Sequence, residues 1–198
     1  MKVLGTLKKG LIFVVSAPAG TGKTTLVRML QKEFSCVVES VSYTTRPPRP
    51  QEVPERDYHF IAVPAFEQKI KDGEFLEYAK VFGHYYGTSR KFLESQQNLG
   101  KHVVLVIDTQ GAMHLKGSLD AVFVFIQPPS MDVLKERLSA RKSESSEAIE
   151  ERLLWAKKEI ALSKRYDYQI VNDRLDTAYD VLRSILIAEE HRNRTPIS

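Results

Sequence analysis

The residues with the clearest chemical meaning lie near the amino terminus, in the segment Ala17-Pro18-Ala19-Gly20-Thr21-Gly22-Lys23-Thr24. It fits the phosphate-binding pattern G-x-x-x-x-G-K-[ST], except that alanine replaces the first glycine. A loop that wraps a phosphate must point several backbone N–H groups inward, and the glycines at 20 and 22 permit the dihedral angles this requires. Lys23 can then reach the β- and γ-phosphates, and the hydroxyl of Thr24 can ligate Mg²⁺. With Thr25, this segment predicts a nucleoside triphosphate site.

The elements predicted on either side are those that a phosphate loop needs. An apolar, β-branched run from Leu11 to Ser16 predicts a buried parallel strand, and apolar residues at helical spacing from Thr24 to Phe34 predict a helix. A helix that begins at the loop points the positive end of its dipole towards the anion. A chance Gly-Thr-Gly-Lys turn would lack this context, which therefore favours the functional interpretation.

A second candidate, Asp108, ends another apolar strand, predicted at His102–Ile107. In phosphate-loop proteins, an acid at the end of a neighbouring strand holds Mg²⁺ or its water. The alternative is that this carboxylate caps the helix that begins near Gln110. Taken alone, the two interpretations have equal weight, and the phosphate loop favours the metal role.

Over most of the remaining chain, segments that favour strands alternate with segments that favour helices. Further strands are predicted at Ala121–Ile126 and Gln169–Val171. The helices predicted from apolar spacing are Pro64–Lys71, Ser89–Leu99, Met131–Lys142, Ala148–Arg165 and Leu175–Arg192. Such alternation indicates an α/β fold with a mostly parallel sheet.

Two segments depart from this alternation. Residues 42–88 begin with prolines at 47, 48, 50 and 54, which exclude a helix there and indicate loop or edge strand. A strand is predicted later in this stretch, at Phe75–Phe82, and the whole of it has the character of an inserted subdomain. The polar segment Lys142–Glu147 has few apolar residues, so it predicts a mobile loop.

The composition excludes several classes of protein. A chain of 198 residues suits one compact unit, and 42% apolar with 27% charged residues is typical of globular proteins. The only cysteine, Cys36, excludes an intrachain disulfide and fits a reducing compartment. No apolar run is long enough to cross a bilayer. A signal peptide cleaved after Leu11–Val15 would cut into the phosphate loop, so a buried strand is favoured there.

The net charge of +4 has two interpretations. It can mark a nucleic-acid surface, or it can reflect arginines that surround small phosphorylated ligands. The arginines lie inside motifs and not in one dense run, which favours the second interpretation. We therefore expect a cytoplasmic protein with small-molecule substrates and with neither nucleic acid nor a membrane as partner. The oligomeric state is left open.

Several ordered motifs beyond the phosphate loop closely resemble those of the guanylate kinase family. They are Ser42-Tyr43-Thr44-Thr45-Arg46-Pro47-Pro48-Arg49, Asp57-Tyr58-His59-Phe60, Gly73-Glu74-Phe75-Leu76-Glu77, Tyr85-Tyr86-Gly87-Thr88 and Ile107-Asp108-Thr109-Gln110-Gly111. The later matches are Arg137-Leu138, Arg141, Arg152, Tyr166-Asp167-Tyr168 and Val171-Asn172-Asp173. The resemblance extends from Gly10 to Leu182, nearly the whole chain.

This resemblance implies a fold and an activity. The fold would be a single domain over residues 1–198, with a P-loop core of a mostly parallel sheet flanked by helices, formed by residues 10–41 and 101–192. Residues 42–88 would form a GMP-binding insertion and residues 137–152 a small lid. The activity would be transfer of the γ-phosphoryl group of ATP, with Mg²⁺, to GMP or dGMP in purine nucleotide metabolism.

The resemblance also implies a role for each matching side chain. The GMP phosphate would be bound by Arg46, Arg49, Tyr58 and Tyr86. The guanine would be read by Ser42, Glu77 and Thr88, while Asp108 would serve either the substrate or the Mg²⁺. The transferring group and the ATP phosphates would be surrounded by Lys23, Arg46, Arg137, Arg141 and Arg152. Asn172 would lie near the adenine.

Physical chemistry supports these roles independently. Guanidinium forks match phosphate oxygens and stay charged, and phosphoryl transfer mainly requires positioning and charge neutralisation. A carboxylate such as that of Glu77 can accept from both donors on the guanine edge, which adenine lacks. Each residue also has a structural alternative. Tyr58 and Tyr86 could be core aromatics, the helical arginines could form a solvated face, and Glu77 could be exposed.

For the whole chain, two other functions compete with a GMP kinase. One is a guanylate-kinase-like binding module that holds acidic or phosphorylated peptides, and the other is a small-molecule kinase with a different acceptor. The presence of Gly22, Lys23 and Thr24 in the phosphate loop, and of the arginines at 141 and 152, favours the enzyme. Two departures from the family pattern are present. The loop Pro50–Arg56 has no glycine, so we expect it to follow another path, and Val106 stands where the family often has an acid.

Overall fold

The computed structural model describes residues 3–140 and 145–193. Its strands are β1 (Ile12–Ser16), β2 (Val37–Ser40), β3 (Tyr43–Thr44), β4 (His59–Phe60), β5 (Phe75–Val81), β6 (His84–Ser89), β7 (His102–Val106), β8 (Val122–Gln127) and β9 (Tyr168–Val171). Its α-helices are α1 (Lys23–Glu33), α2 (Val63–Lys71), α3 (Arg90–Asn98), α4 (Thr109–Leu115), α5 (Met131–Ser139), α6 (Ser146–Leu162) and α7 (Leu175–Glu190). A 3₁₀ turn, Ser163–Arg165, follows α6.

The core is a five-stranded sheet in the order β2-β7-β1-β8-β9, and all its pairings are parallel. Side chains of α1 and α7, such as Leu26 and Leu182, pack on one face together with Phe13 and Val15. Leu93 of α3 and Leu115 of α4 pack on the other face. Because both faces are covered, the central strands are apolar except at single terminal residues. The predicted α/β fold with a parallel sheet flanked by helices is confirmed.

A second sheet, in the order β4-β3-β6-β5, is formed within residues 43–89. β3 pairs parallel with β4, whereas β6 pairs antiparallel with both β3 and β5. Helix α2 covers this sheet through Phe66, whose ring centroid lies 4.5 Å from that of Phe75 and 5.1 Å from that of Tyr85. This small sheet therefore has an aromatic core of its own.

Most predicted elements are present with their ends shifted by a few residues, and one expectation needs correction. β2, which forms an edge of the main sheet, is not predicted from the sequence patterns. The predicted loop Lys142–Glu147 is wrong at its end, because Ser146 and Glu147 belong to α6. The hydroxyl of Ser145 accepts from the N–H of Ala148 at 3.3 Å and so caps that helix earlier. Residues 141–144, with the end predicted for α5, lie outside the described residues.

The functional residues lie at the carboxyl ends of the central strands. The phosphate loop follows β1 and Asp108 follows β7, while the small sheet stands above the same edge. Ligands of open α/β sheets bind at this edge, because the loops after neighbouring parallel strands converge there. Within the part of the chain that is described, no helix is both long and apolar enough to cross a membrane.

The opposite edge of the sheet is held together by a buried polar cluster around Glu190. Its carboxylate accepts from the N–H groups of Gly5 and Thr6, at 2.7 and 2.8 Å, and contacts Nε2 of His102 at 2.5 Å. Nδ1 of His102 accepts from the N–H of Leu11, so the ring is neutral and its Nε2 donates to the carboxylate. Burial raises the pKa of Glu190, but these hydrogen bonds outweigh it and lower the pKa to about 2.

We expect Glu190→Gln to destabilise the fold by about 3 kcal/mol at neutral pH, because the amide turns a donor towards groups that are themselves donors. The lowered pKa means that the carboxylate stabilises the fold fully above about pH 4.5 and loses this effect as the pH falls towards 2. The difference from the parent should therefore shrink in acid. Urea unfolding at pH 7 and pH 3 measures the difference in free energy of unfolding between parent and variant. Glu136→Gln, on the exposed face of α5, is the control. Equal unfolding of parent and Glu190→Gln at pH 7 would contradict this role.

Candidate active site

The phosphate loop is shaped by two glycines and closed by its own hydroxyl group. Gly20 and Gly22 have φ values of 92° and 87°, in the region that only glycine adopts easily. The hydroxyl of Thr21 donates to the carbonyl of Pro18 at 2.8 Å and fixes the turn. Gly22 is the N-cap of α1, and no side chain caps the first turn of this helix. Its free N–H groups and dipole therefore face the cleft, as an anion site requires.

Asn172 supports this loop from beneath. It is only 4% exposed, and its Nδ2 donates to the carbonyl of Thr21 at 2.6 Å. A Cβ atom added to Gly22 would lie 2.7 Å from the same Nδ2, so the close approach explains the glycine. Asn172 is thus placed to hold the loop backbone, away from the cleft surface.

A cleft of about 310 Å³ lies between the phosphate loop, the small sheet and α6. It brings together most of the residues predicted from the sequence, which are Ala17, Pro18, Ala19, Gly20, Thr21, Gly22, Lys23, Thr24, Thr25, Ser42, Arg46, Arg49, Tyr58, Glu77, Tyr86, Asp108 and Arg152. Three others lie elsewhere: Thr88 is fully buried, Asn172 lies under the loop, and Arg137 lies on α5. Arg141 is outside the described residues.

Arg46 lines the cleft and is fixed there by several partners. Its Nε donates to the hydroxyl of Tyr86 at 3.2 Å, and its Nη2 contacts both carboxylate oxygens of Glu52 at 2.7 and 2.9 Å. Its Cζ lies 5.4 Å from the centre of the Tyr58 ring. Glu52 also accepts from the N–H of Arg49 at 2.8 Å. This carboxylate therefore orients one cationic side chain and anchors the backbone of the next.

The glycine-free loop that follows is held by Asp57. Its carboxylate accepts from the N–H of Val53 at 2.8 Å and pairs with Arg56, and it also meets Arg28 of α1. Glu55 adopts φ 65° in this loop, a left-handed conformation that is uncommon for a residue with a side chain. The pair of Asp57 and Arg28 ties the loop to the core of the protein.

Glu77 lines the cleft and is almost fully buried. It pairs across the hairpin with Thr88, whose hydroxyl donates to its Oε1 at 2.6 Å. A Cβ atom at Gly111 would come within 2.5 Å of Oε2, so only glycine leaves room for this carboxylate. Burial, with a smaller contribution from the charge of Asp108, raises the pKa of Glu77 to about 7, although the hydrogen bond from Thr88 opposes the shift. Ser42 lines the same cleft.

Asp108 serves as a helix cap and keeps a second oxygen for another partner. Its Oδ1 accepts from the N–H of Gly111 at 2.8 Å at the start of α4. Its Oδ2 is buried and has no hydrogen-bond partner in the described part of the chain. Burial raises its pKa, although the Gly111 hydrogen bond and the charge of Lys23 oppose the shift.

The residues at this point fit Mg²⁺, because the exposed Thr24 and the free oxygen of Asp108 line one cleft. Over residues 3–140 and 145–193, no cluster of three acidic, histidine or cysteine side chains could hold a metal unaided. The ion would therefore depend on oxygen atoms of a bound nucleotide, which is its usual mode of binding in such sites.

Lys23 is surrounded by carboxyl groups from three different elements. Burial lowers its pKa, while Glu159 of α6, Asp108 and Glu39 of β2 oppose the shift. Burial also raises the pKa of both Glu39 and Glu159 to about 7. The negative surroundings favour the charged ammonium and so offset part of the effect of burial.

Neither Glu39 nor Glu159 follows from the sequence motifs. Glu159 occupies an inward position of α6, where an acid among apolar residues is the available signal. Glu39 is the register partner of Val104 in the adjacent parallel strand, so it shares a sheet face with Val106. Its carboxyl group therefore lies on the face of the sheet to which position 106 also points, one strand away.

The remaining arginines approach from α5 and α6. Arg152 lines the cleft, and its Cζ lies 5.9 Å from the centre of the Phe82 ring. Arg137 reaches the carbonyl of Asp173 with Nη2 at 3.4 Å, on the outer side of the loop that contains Asn172. Of these two arginines, only Arg152 is among the residues that line the cleft.

A parallel sheet with a glycine-shaped phosphate loop between β1 and α1 defines a P-loop nucleotide-binding protein. The chain belongs to the guanylate kinase family, whose model, described as "Guanylate kinase", matches residues 9–189. It is 57% identical over 188 residues to a guanylate kinase of Protochlamydia amoebophila, with 95% of each chain covered. It is 49% identical over 183 residues to a guanylate kinase of Chlamydia pneumoniae, which covers 92% of this chain and 89% of that one.

A solved structure agrees with these sequence relationships. The crystal structure of guanylate kinase from Anaplasma phagocytophilum matches with a TM-score of 0.79 at 35% identity. The match covers 93% of this chain and 88% of that chain. The resemblance to the guanylate kinase family, and the membership of a nucleoside monophosphate kinase class that it implies, are confirmed.

Proposed function

We propose that this chain transfers the γ-phosphoryl group of ATP to GMP, giving ADP and GDP. The observation that carries the proposal is one cleft lined by three chemically distinct groups of residues. They are a phosphate loop with Lys23, the pair Arg46 and Arg49, and the buried carboxylate of Glu77. These suit a triphosphate, an acceptor phosphate and a base with two adjacent donors, respectively.

At the donor end, the backbone of the phosphate loop and the first turn of α1 bind the β- and γ-phosphates. Lys23 contacts the oxygens on which charge develops during transfer. Thr24 and Asp108 would hold Mg²⁺, which neutralises phosphate charge when bound. Asn172 keeps the loop in shape, so we assign it a supporting role towards ATP.

At the acceptor end, Arg46, Arg49, Tyr58 and Tyr86 bind the phosphate of GMP. Arg46 needs little rearrangement, because Glu52 and the tyrosines already fix its guanidinium. No side chain has to act as a nucleophile, since an oxygen of the GMP phosphate attacks the γ-phosphorus of ATP. The role of these residues is to align the two phosphates and to offset their charges.

The base is read at the buried end of the cleft. Glu77 accepts from the N1–H and the 2-amino group of guanine, and Ser42 adds a neutral contact. Thr88 orients the carboxylate through its hydrogen bond, and Asp108 borders the same space. Because the guanine edge of dGMP is identical, we include dGMP as an acceptor.

Two segments move relative to the core in this proposal. Residues 42–88 form the GMP-binding insertion and residues 137–152 the lid, while residues 10–41 and 101–192 form the core of the single domain. Closure brings Arg137, Arg141 and Arg152 to the transferring group and excludes water. The substrates and the lone Cys36 suit a role in purine nucleotide metabolism in the cytoplasm.

A coupled assay of ADP release tests the proposal with a panel of acceptors at fixed ATP and Mg²⁺. We expect rapid turnover with GMP and dGMP, intermediate turnover with IMP, and AMP poorer than GMP by about 10⁴-fold in kcat/KM. Omission of the acceptor gives the background rate of ATP hydrolysis. Equal use of AMP would assign the chain to another acceptor, and no turnover with any acceptor would favour a binding module.

A further inference from the structure

The tip of the β5–β6 hairpin contains a residue that its backbone disfavours. Phe82 and Gly83 connect the register pair Val81 and His84, and both have positive φ, at 47° and 81°. Two-residue turns of this kind favour asparagine, aspartate or glycine, because the Cβ of other residues crowds the backbone. Phe82 is moreover 46% exposed. A large apolar side chain at this position therefore has no advantage within the hairpin itself.

The Phe82 ring has partners on a different part of the molecule. Its centroid lies 5.6 Å from that of Trp155 on α6, with the two rings inclined by 53°. The guanidinium of Arg152, one helical turn before Trp155, lies 5.9 Å from the same Phe82 ring. All three side chains line the cleft. The contact therefore joins the small sheet to α6 across the cleft.

Trp155 shows a second unfavourable feature at this contact. Its indole Nε1 is buried, and no acceptor for it is present in the described residues. A buried N–H without a partner is costly. Because no hydrogen bond holds the indole of Trp155, its position is determined by packing against neighbouring side chains. Two local penalties at one contact indicate that the contact itself has a role.

We propose that Phe82 is a positioning residue, which acts with Trp155 to hold Arg152 of α6 towards the transferring phosphoryl group. The inference rests on the proposed function, because Arg152 needs that group to act on. The ring limits the directions open to the guanidinium through a cation–π contact over its face, while the aromatic pair fixes the distance between hairpin and helix. Helix α6 is therefore already held beside the β5–β6 hairpin before the protein closes over its substrates.

The variant Phe82→Asn separates this role from a merely structural one. Asparagine suits the turn, so the thermal melting temperature should stay equal or rise. We expect kcat to fall about threefold to tenfold, which is the size of a lost aromatic contact, while KM for GMP and for ATP stays within about twofold. Phe82→Tyr should restore kcat. The control is Tyr78→Asn, since Tyr78 is 44% exposed on the same hairpin and is not among the residues that line the cleft.

A double substitution tests whether the effect passes through Arg152. Arg152→Ala should lower kcat strongly, and adding Phe82→Asn to it should change kcat by less than about twofold. If Phe82→Asn lowers kcat by the same factor with and without Arg152, the proposed positioning role is overturned. An unchanged kcat in the single variant would overturn it as well.

The only tryptophan of the chain, Trp155, gives a readout that does not depend on turnover. In the ligand-free protein, we expect Phe82→Asn to shift its emission to longer wavelength, because the ring loses its apolar neighbour. Identical emission from parent and variant would overturn this inference alone, even if GMP is phosphorylated. If the emission of Phe82→Asn is shifted relative to the parent but the parent does not phosphorylate GMP, the proposed function is overturned. The role of this contact in catalysis is then overturned with it.

Discussion

Replacing Lys23 with alanine is expected to lower kcat by about 100-fold or more while the protein stays folded. Lys23 begins α1 at the end of the phosphate loop, where its ammonium can meet the oxygens that gain charge during transfer. Such a contact strengthens in the transition state, so its loss lowers kcat more than it raises KM for ATP. Initial rates of ADP release at saturating ATP and GMP measure the effect.

The surroundings of Lys23 make the choice of controls important. Its removal leaves the carboxyl groups of Glu39, Asp108 and Glu159 without their shared cation. Lys23→Met keeps the apolar stem and should lose the same activity, and thermal melting of both variants checks the fold. Lys32→Ala, on the exposed face of the same helix, should keep parental turnover. Near-normal kcat for both Lys23 variants would exclude the phosphate loop from catalysis.

Much of the fold is predictable because its central strands are buried on both faces. β1, β7 and β8 are continuous apolar runs, and each is bounded by turn residues or helix caps, so their positions follow from local sequence. β2 does not, because four residues with a glutamate at the third position show neither a continuous nor an alternating pattern. Its place in the sheet depends on pairing with β7, which lies more than 60 positions later in the sequence.

The candidate site is predictable in composition and less so in geometry. Motifs identify Arg46, Glu77 and Asp108, and the structure places all three along one cleft. Motifs do not tell which matching side chain faces the cleft and which stands behind it. Thr88 and Asn172 both lie behind, one against Glu77 and the other under the phosphate loop.

Long-range contacts explain what the motifs omit. Glu39 lies on an edge strand of the main sheet and Glu159 lies on α6. Both are close enough to Lys23 to raise its pKa. The contact of Phe82 with Trp155 joins residues more than 70 positions apart. Local patterns carry no information about such pairs, because the residues come together only in the tertiary fold.

The other large effect is expected at Glu77, where we predict that Glu77→Gln lowers kcat/KM for GMP by about 100-fold or more. The carboxylate can accept from Thr88 and still offer lone pairs to both guanine donors. The amide has one acceptor oxygen and turns an N–H₂ group towards a donor, so at least one charge-assisted hydrogen bond is replaced by a repulsion. Ser42→Ala should cost less, since it removes one neutral contact. Steady-state kinetics with GMP measure both, and Glu74→Gln, an exposed residue beside the same strand, is the matched control.

The pH dependence of GMP use provides the sharper test of this residue. Burial raises the pKa of Glu77 to about 7, so in the ligand-free protein the group is largely protonated at pH 6 and ionised at pH 8. Guanine needs the ionised form, and KM for GMP should therefore rise as the pH falls below 7, by up to about tenfold per pH unit. The phosphate of GMP also titrates near pH 6. Glu77→Gln has no titrating carboxyl group at this position, so the pH dependence of its KM for GMP measures the contribution of the phosphate. If parent and Glu77→Gln show the same profile and the same kcat/KM for GMP, the base is recognised by other residues.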